Sequence, residues 1–273
     1  MKLSLSVRIA EGFLSKEEAI LTLAEVADLA VAAGYDAICM RASQIGIQSS
    51  ADQIDEAVKT LKDRELDVSM VTPDFAIVYN NDQGPDCLRN ITPYLDVAER
   101  FEAPLVRVAI KKDADIPYAQ RAADEAAERG IRLAHQCHTL SLFETIESIE
   151  RSLAAIDRPN FGLIYEPANL ELCDQDYGPQ TLERLAPKIF NVYLQNQIIR
   201  SNGAVTLNTW CRGPVEFDII QIHDPGGIDF ARVQQGLQQI GYQGSITVHQ
   251  CAPEGQTPQE SAAATAQFLR SFH

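Results

Sequence analysis

The chain has 273 residues, and 38 Asp and Glu against 23 Lys and Arg give it a formal net charge of −15 at pH 7. This charge argues against binding to nucleic acid or to an anionic membrane, because phosphate binding requires a basic surface. Hydrophobic residues make up 45% of the chain and charged residues 22%, so it can bury a large core and is not intrinsically disordered.

No apolar stretch approaches the roughly 20 residues of a transmembrane helix. The N-terminus also lacks the basic and then apolar pattern of a signal peptide. We therefore expect a cytoplasmic protein.

Short β-branched runs alternate with longer segments rich in Ala, Leu and Glu, which is typical of consecutive βα units. Candidate strands lie near 3–9, 36–41, 67–72, 104–110, 131–136, 161–166, 189–195 and 245–250. Candidate helices lie near 15–33, 50–64, 86–102, 116–129, 142–156, 179–187, 229–240 and 257–271. Eight strands with eight helices, in a length close to the typical ~250 residues, predict a single-domain (β/α)8 TIM barrel of the α/β class over 1–273.

One connection, the β7-α7 loop at about 196–228, is much longer than the others. A loop of this length in a compact domain usually has a function, often as a lid. Its segments VTLNTW and VEFDII could pair as a hairpin across CRGP. The alternative is a surface hairpin without a functional role.

Side chains alternate across a strand, so the two faces of each strand can be separated by parity. One face is apolar throughout and should meet the helices, which leaves the mixed polar face for the barrel interior. Near the carboxyl ends of the strands the interior should collect Arg8, Arg41, Arg107, Lys111, Gln136, Glu166, Tyr193, Gln195 and His249. Several guanidinium groups beside one carboxylate indicate a site for anions, or else a set of internal ion pairs.

Four segments carry a resemblance to a known family: AAERGIRLAHQCH, RPNFGLIYEPAN, APKIFNVYLQN and GGIDFARVQQGLQQIGYQGSITVHQ. They resemble the sugar phosphate isomerase/epimerase superfamily, the xylose isomerase-like TIM barrels, over almost the whole chain. In that family four strand ends usually supply Glu, Asp, His and Glu to one divalent cation, and in the epimerases the two glutamates also act as acid and base.

Carried over position by position, the resemblance implies a divergent member with substituted metal-ligand positions. The first Glu falls on Gln136, the Asp on Glu166, the His on Tyr193 and the last Glu on His249. Another His of the family falls on Asn169. The His two residues after the first ligand is kept as His138, which we assign to substrate binding.

The resemblance also implies one divalent metal. Gln136, Glu166 and His249 could ligate Mn, Zn or Fe. His223 could join them, since the apurinic endonucleases of the family carry a ligand His at a comparable point. In the alternative, Glu166 pairs with an arginine and His249 is hydrogen-bonded in the barrel wall.

The leading hypothesis is a sugar or sugar phosphate isomerase/epimerase-like enzyme, or a lyase, that acts on a small hydroxylated anion at the carboxyl end of the barrel. We expect Glu166, His249 and Tyr193 to be catalytic, with His249 as a single base and Tyr193 or Lys111 as its acid partner. Arg8, Arg41 and Arg107, with Arg200 or Arg212 from the long loop, would hold the anion while Trp210 covers it.

The alternative function is a barrel that has lost the family metal site and binds a metabolite or partner without turnover. An apurinic endonuclease is disfavoured by the acidic charge and by the absence of histidines in strands three and four. We expect a small-molecule anionic substrate, no nucleic acid and no membrane. The resemblance implies a homo-oligomer.

Overall fold

The computed structural model describes residues 1–12, 15–253 and 255–272. Eight strands form the barrel: β1 (Lys2–Ser6), β2 (Ala37–Arg41), β3 (Asp67–Thr72), β4 (Leu105–Val108), β5 (Arg132–Gln136), β6 (Phe161–Tyr165), β7 (Ile189–Leu194) and β11 (Ser245–Val248). All neighbouring pairs are parallel, and the sheet closes where β11 pairs with both β1 and β7. The predicted (β/α)8 TIM barrel is confirmed.

Ten α-helices follow or precede these strands in the described part of the chain. They are α1 (Leu23–Ala33), α2 (Ala51–Lys62), α3 (Phe75–Val78), α4 (Thr92–Arg100), α5 (Ile116–Glu128), α6 (Ile146–Ile156), α7 (Pro167–Leu172), α8 (Pro179–Leu185), α9 (Phe230–Gln239) and α10 (Pro258–Arg270). The short helices α3 and α7 lie in loops at the carboxyl ends of strands and were not among the eight predicted. No helix of the described residues has both the length and the apolar character needed to span a membrane.

Two predicted boundaries near the N-terminus were wrong for local reasons. The first strand ends at Ser6 and not at residue 9, because the Ser6 hydroxyl accepts the Arg8 backbone N–H and starts a 3-10 turn over Val7–Ala10. The first helix begins at Leu23 and not at residue 15, because Thr22 and Glu25 form a capping box there. Residues 13 and 14, just before the predicted helix, lie outside the described residues.

The separation of the strand faces by parity is confirmed. Outward residues such as Leu5 and Val106 pack in the large core beneath the helices. A second cluster fills the barrel interior with Cys39, Met70, Leu105, Ala134, Ile164 and Tyr193. This plug closes the middle of the barrel, so the polar side chains at the carboxyl ends of the strands lie above an apolar floor.

The long loop after β7 contains a three-stranded antiparallel sheet of β8 (Asn196–Ile199), β9 (Val205–Thr209) and β10 (Gly213–Ile220). The predicted hairpin is confirmed, since β9 and β10 pair with Val215 opposite Leu207. Strand β8 pairs with the other edge of β10. The sheet stands at the carboxyl end of the barrel and forms one wall of the cavity described next.

Candidate functional site

A cavity of about 370 Å³ opens at the carboxyl ends of the barrel strands. Its polar lining includes Arg8, Lys16, Arg41, Arg107, Gln136, His138, Glu166, Asn169, Gln195 and His249. The small sheet supplies an apolar wall from Val205, Leu207, Phe217 and Ile219. This is the end of the barrel where enzymes of this fold place their sites.

Glu166 directly follows β6 and is 2% exposed. Its Oε2 accepts hydrogen bonds from Gln136 Nε2 and, at 2.8 Å, from Asn169 Nδ2. Burial raises the pKa of Glu166 to about 7, although Gln136, Arg107, Lys16 and Asn169 all act to lower it. Glu166 is therefore able to exchange a proton near neutral pH.

His249 follows β11 and is held from both sides. Its Nε2 lies 3.2 Å from Arg41 Nη1, and its Nδ1 lies 3.1 Å from the Ser6 hydroxyl. The imidazole stacks on the Tyr193 ring at 3.9 Å between centroids. Burial and then Arg41 hold the pKa of His249 well below its usual range. The ring is therefore neutral, accepting from Arg41 at Nε2 and donating to Ser6 from Nδ1.

Arg41 is neutralised by Glu11, a residue in the loop after β1 that the sequence did not single out. Arg41 Nε donates to Glu11 Oε1 at 2.7 Å, and Nη2 donates to Oε2 at 3.0 Å. The Ser43 hydroxyl donates to the same carboxylate at 2.7 Å, and Arg8 Nη1 lies 3.4 Å from it. Of the two interpretations of the arginines, internal ion pairing holds for Arg41, with Glu11 and not Glu166 as the carboxylate.

Arg107 differs from Arg41 because it has no counterion in direct contact. It is 1% exposed, and its Nε and Nη2 are buried without a hydrogen-bond partner. Burial lowers the pKa of Arg107, and no carboxylate among the described residues forms a salt bridge with it. A buried guanidinium without a partner is costly, and an anion in the cavity would offset that cost.

Lys16 is a further site residue that the sequence analysis missed. It lies in the loop between β1 and α1, where its backbone N–H donates to the Tyr79 hydroxyl at 3.1 Å. Burial, followed by the charges of Arg41, Arg8 and Arg107, lowers the pKa of Lys16 to about 7. Its predicted position inside a helix gave no sign that it would reach the barrel.

His138 lines the cavity as predicted for a substrate-binding residue, with its Nδ1 3.1 Å from Asn80 Nδ2 and 3.0 Å from the Thr139 carbonyl. Lys111 does not line the cavity. Its Nζ donates to the Asn80 carbonyl at 3.0 Å and pairs with Asp82 at 3.2 Å. The contribution of Lys111 in this structure is therefore to hold the loop that carries Asn80.

Five other predicted residues lie away from the cavity lining: Tyr193, Arg200, Trp210, Arg212 and His223. Tyr193, expected to be catalytic, is buried in the apolar cluster of the barrel interior, and Arg200 pairs with Asp218 on the small sheet. Trp210 is 57% exposed at the tip of the β9–β10 hairpin. Arg212 Nη1 donates to the Leu172 carbonyl at 3.4 Å. His223, in the segment between β10 and α9, is not among the residues that line the cavity with Gln136, Glu166 and His249.

Within the described residues, Glu144, Cys173 and Cys211 have ligand atoms within 4.8 Å of one another. This group lies beside the turn between β9 and β10 and does not line the cavity. The Glu144 carboxylate already accepts backbone N–H groups from Leu140, Trp210 and Cys211. It therefore serves to anchor the hairpin.

The comparisons with known proteins agree with this architecture. The family described as xylose isomerase-like TIM barrel matches residues 27–272, so the chain belongs to that family. The resemblance noted in the sequence is thereby confirmed.

A curated relative, inosose dehydratase of Geobacillus thermodenitrificans (strain NG80-2), is 26% identical over 152 residues, which are 55% of this chain and 51% of the relative. The chain thus spans about half the length of the curated relative it matches.

Among solved structures, the probable 3-DHS dehydratase AsbF of Bacillus anthracis, involved in petrobactin synthesis, has a TM-score of 0.73 at 15% identity, with 99% of both chains covered. A xylose isomerase-like TIM barrel protein from Mycobacterium smegmatis in complex with magnesium has a TM-score of 0.73 at 14% identity, with 99% of this chain and 96% of that chain covered. These likenesses show a shared fold, in which at least one barrel binds a divalent metal.

Proposed function

We propose that this barrel catalyses a proton-transfer reaction, an isomerisation or a dehydration, on a small hydroxylated anion bound in the cavity. One observation carries the proposal: Arg107, a buried guanidinium without a partner, lines the same cavity as Glu166, whose pKa is raised to about 7. A fixed positive charge beside a base that titrates near neutral pH suits removal of a proton from carbon next to a carbonyl or carboxylate group.

Glu166 is the residue that we assign as the base. Its Oε2 is occupied by Gln136 and Asn169, which orient the carboxylate. No described residue donates to Oε1, so this oxygen can receive the proton. His249, the base expected from the sequence, has both ring nitrogens in hydrogen bonds to Arg41 and Ser6.

The reaction balances with one carboxylate. Glu166 removes a proton from the carbon beside the carbonyl group, and the electron pair moves onto the carbonyl oxygen to give an enediolate. In an isomerisation, Lys16 gives a proton to the original carbonyl oxygen and takes one from the adjacent hydroxyl group, and Glu166 returns its proton to the former carbonyl carbon. Epimerisation lies outside this scheme, because one base returns the proton to the face from which it was removed. In a dehydration, the electron pair returns to expel a β-hydroxyl group, which takes a proton from Lys16 or Glu166 and leaves as water.

The positive side chains have separate roles in this scheme. Arg107 binds the substrate anion and stabilises the negative charge that develops on oxygen, since guanidinium matches carboxylate and phosphate geometry. Lys16, with a pKa lowered to about 7, is suited to donate a proton. The apolar side chains of the small sheet exclude water above these groups, which strengthens their electrostatic interactions.

The relatives support dehydration among these outcomes, because two of them are named as dehydratases. The divalent metal implied by the resemblance is not used in the scheme, since the donor atoms at its position do not fit a cation. The alternative of a binding barrel without turnover is favoured by a different observation, the substitution of all four ligand positions.

The test is exchange of carbon-bound hydrogen with solvent. We would incubate hydroxylated carboxylates, sugar phosphates and cyclic polyol acids with the protein in D2O and follow deuterium incorporation by NMR. The wild type should exchange at least one of these compounds, and Glu166→Gln should not. Glu171→Gln is the matched control, because Glu171 lies on α7 outside the cavity lining. Compounds that stabilise the protein against unfolding without any exchange would favour the binding barrel instead.

A further inference from the structure

We infer that this barrel has exchanged the divalent cation of its family for side-chain cations, and that Arg107 supplies the positive charge to the substrate at that place. The inference rests on the proposed function in one respect, that a substrate anion occupies this cavity. It follows from the donor atoms that are available to a metal at each of the four strand ends.

The last of these positions, His249, cannot offer a lone pair. An arginine side chain has only N–H donors, so Arg41 Nη1 at 3.2 Å must donate to His249 Nε2. The other nitrogen, Nδ1, then carries the proton that it donates to Ser6. A metal at Nε2 would have to displace a guanidinium that Glu11 holds in place with two further hydrogen bonds.

The third position, Tyr193, is equally unsuited to ligate a metal. Tyr193 is fully buried, and its hydroxyl lies 3.3 Å from Cys39 Sγ in the apolar plug of the barrel. A hydroxyl enclosed by this apolar cluster is a poor source of the phenolate that a metal would require. The ring instead supports His249 by stacking.

The first and second metal-ligand positions, Gln136 and Glu166, are hydrogen-bonded to each other. Gln136 donates its amide group to Glu166 Oε2, so the amide nitrogen faces the carboxylate and the amide oxygen is directed elsewhere. Among the described residues that line the cavity, Glu166 is the only carboxylate. One carboxylate oxygen is a poor site for a hard or borderline cation, which is usually bound by several anionic or imidazole ligands.

The electrostatics of the cavity point the same way. Arg8, Lys16, Arg41 and Arg107 line it, and Glu11 is the carboxylate in contact with Arg8 and Arg41. Arg107 has unpartnered buried nitrogens. Lys16 lines the same cavity as the three arginines, so positive charge accumulates here. A dication would be repelled, whereas a carboxylate or an enediolate oxygen would be attracted.

Arg107 can perform the task that a cation performs in such a site. Its charge is fixed across the whole physiological pH range, and its planar group can donate two hydrogen bonds to one anion. Because the charge is already in place before the reaction, it stabilises an enediolate without rearrangement of solvent. The substrate class is therefore a hydroxylated carboxylate or another planar oxyanion that a guanidinium binds directly.

The experiment compares anions and a metal as ligands of the same protein. Wild type, Arg107→Met and Arg132→Met would be dialysed against EDTA. Their melting temperatures would then be measured with D-glycerate, with sulfate or with Mn²⁺, each at fixed ionic strength. Arg132 is the matched control, since it lies on β5 near the amino end of the barrel, over the Phe190 ring. Circular dichroism would verify the fold, and Arg107→Lys provides a second variant that keeps the charge but not the two-pronged geometry.

We expect glycerate without metal to raise the melting temperature of wild type and Arg132→Met by at least about 2 °C. The shift should be smaller in Arg107→Lys and lost in Arg107→Met, and Mn²⁺ should neither stabilise the wild type nor enlarge the glycerate shift. Stoichiometric Mn²⁺ binding that disappears in Glu166→Gln would overturn the inference, as would a glycerate shift that requires Mn²⁺.

The two proposals can fail separately. If a substrate exchanges its carbon-bound hydrogen with solvent, and EDTA abolishes this reaction while Mn²⁺ restores it, the proposed enzymatic function stands. The inference that side-chain cations replace the metal is then wrong. If anions bind through Arg107 without metal but no compound exchanges hydrogen with solvent, the replacement of the metal by side-chain cations stands. The proposed enzymatic function is then wrong.

Discussion

Arg41 and His249, which are 208 positions apart in the chain, meet at 3.2 Å between Nη1 and Nε2 at the carboxyl end of the barrel. Arg41 is positioned by Glu11, and His249 is positioned by Ser6 and Tyr193. This contact consumes the lone pair of the imidazole and places a positive charge beside it. His249 is therefore unable to ligate a metal or to act as a base, and Glu166 is left as the available base.

Removing the charge of Glu11 should destabilise the fold. Glu11→Gln leaves the buried Arg41 without its counterion, and breaking a buried ion pair of this kind costs roughly 3–5 kcal/mol. The free energy of unfolding from urea denaturation would measure this. Glu102→Gln is the control, because Glu102 is 72% exposed in its pair with Lys62 and should change stability by less than about 1 kcal/mol. Equal effects of the two substitutions would contradict the importance of the Glu11 pair.

The raised pKa of Glu166 should make stability depend on pH in a defined direction. The folded state, with a pKa of about 7, holds the proton more tightly than the unfolded state, with the ordinary value of 4.5. The stabilisation is therefore fully present below pH 4.5 and is lost as the pH rises to about 7, by about 3 kcal/mol in total.

This contribution can be isolated by comparing wild type with Glu166→Gln at several pH values. Other groups titrate in both proteins, so the difference between their free energies of unfolding reports Glu166. Wild type should lose stability relative to Glu166→Gln between pH 5 and pH 8. A constant difference over this range would show that the pKa of Glu166 is not raised.

Anion affinity should fall as the pH rises through about 7. Deprotonation of Lys16 removes a positive charge and ionisation of Glu166 adds a negative one, and both have pKa values of about 7. His138 and His249 face the same cavity, but their pKa values lie well below the usual range, so they stay neutral over this interval.

Isothermal titration with D-glycerate, whose own carboxyl group stays ionised, would measure this effect between pH 6 and pH 8. Lys16→Met and Glu166→Gln should each remove part of the decline in affinity, and the double variant should remove all of it. A decline that persists in the double variant would place the titrating group elsewhere.

The hairpin over the cavity should depend on Glu144. Its Oε1 and Oε2 accept the backbone N–H of Trp210 at 2.8 and 3.0 Å, and Oε2 accepts that of Cys211 at 3.0 Å. Glu144→Ala leaves these donors without a partner and should loosen the tip of the hairpin. Hydrogen exchange of the peptide spanning 205–215, followed by mass spectrometry, should accelerate. Glu147→Ala, in an exposed pair with Arg184, is the control and should leave the exchange unchanged.

Periodicity in the sequence was sufficient to predict the barrel and the hairpin after β7. Parity along the strands also identified the inward-facing polar residues, since the direction of a side chain on a regular strand is fixed by local geometry. Arg41, Arg107, Gln136, Glu166 and His249 all line the cavity for this reason.

The partners of these residues were decided only by the tertiary structure. Glu11 and Lys16 reach the site from the loop between β1 and α1, whose path no periodicity describes, while Trp210 and His223 lie outside the cavity lining because the long loop folds into its own sheet. Closure of the barrel brings the end of β2 to the end of β11, and this pairs Arg41 with His249 and leaves Arg107 without a partner. The sequence by itself determined which side chains face the interior, but the charge balance among them depends on contacts between distant segments that only the closed barrel creates.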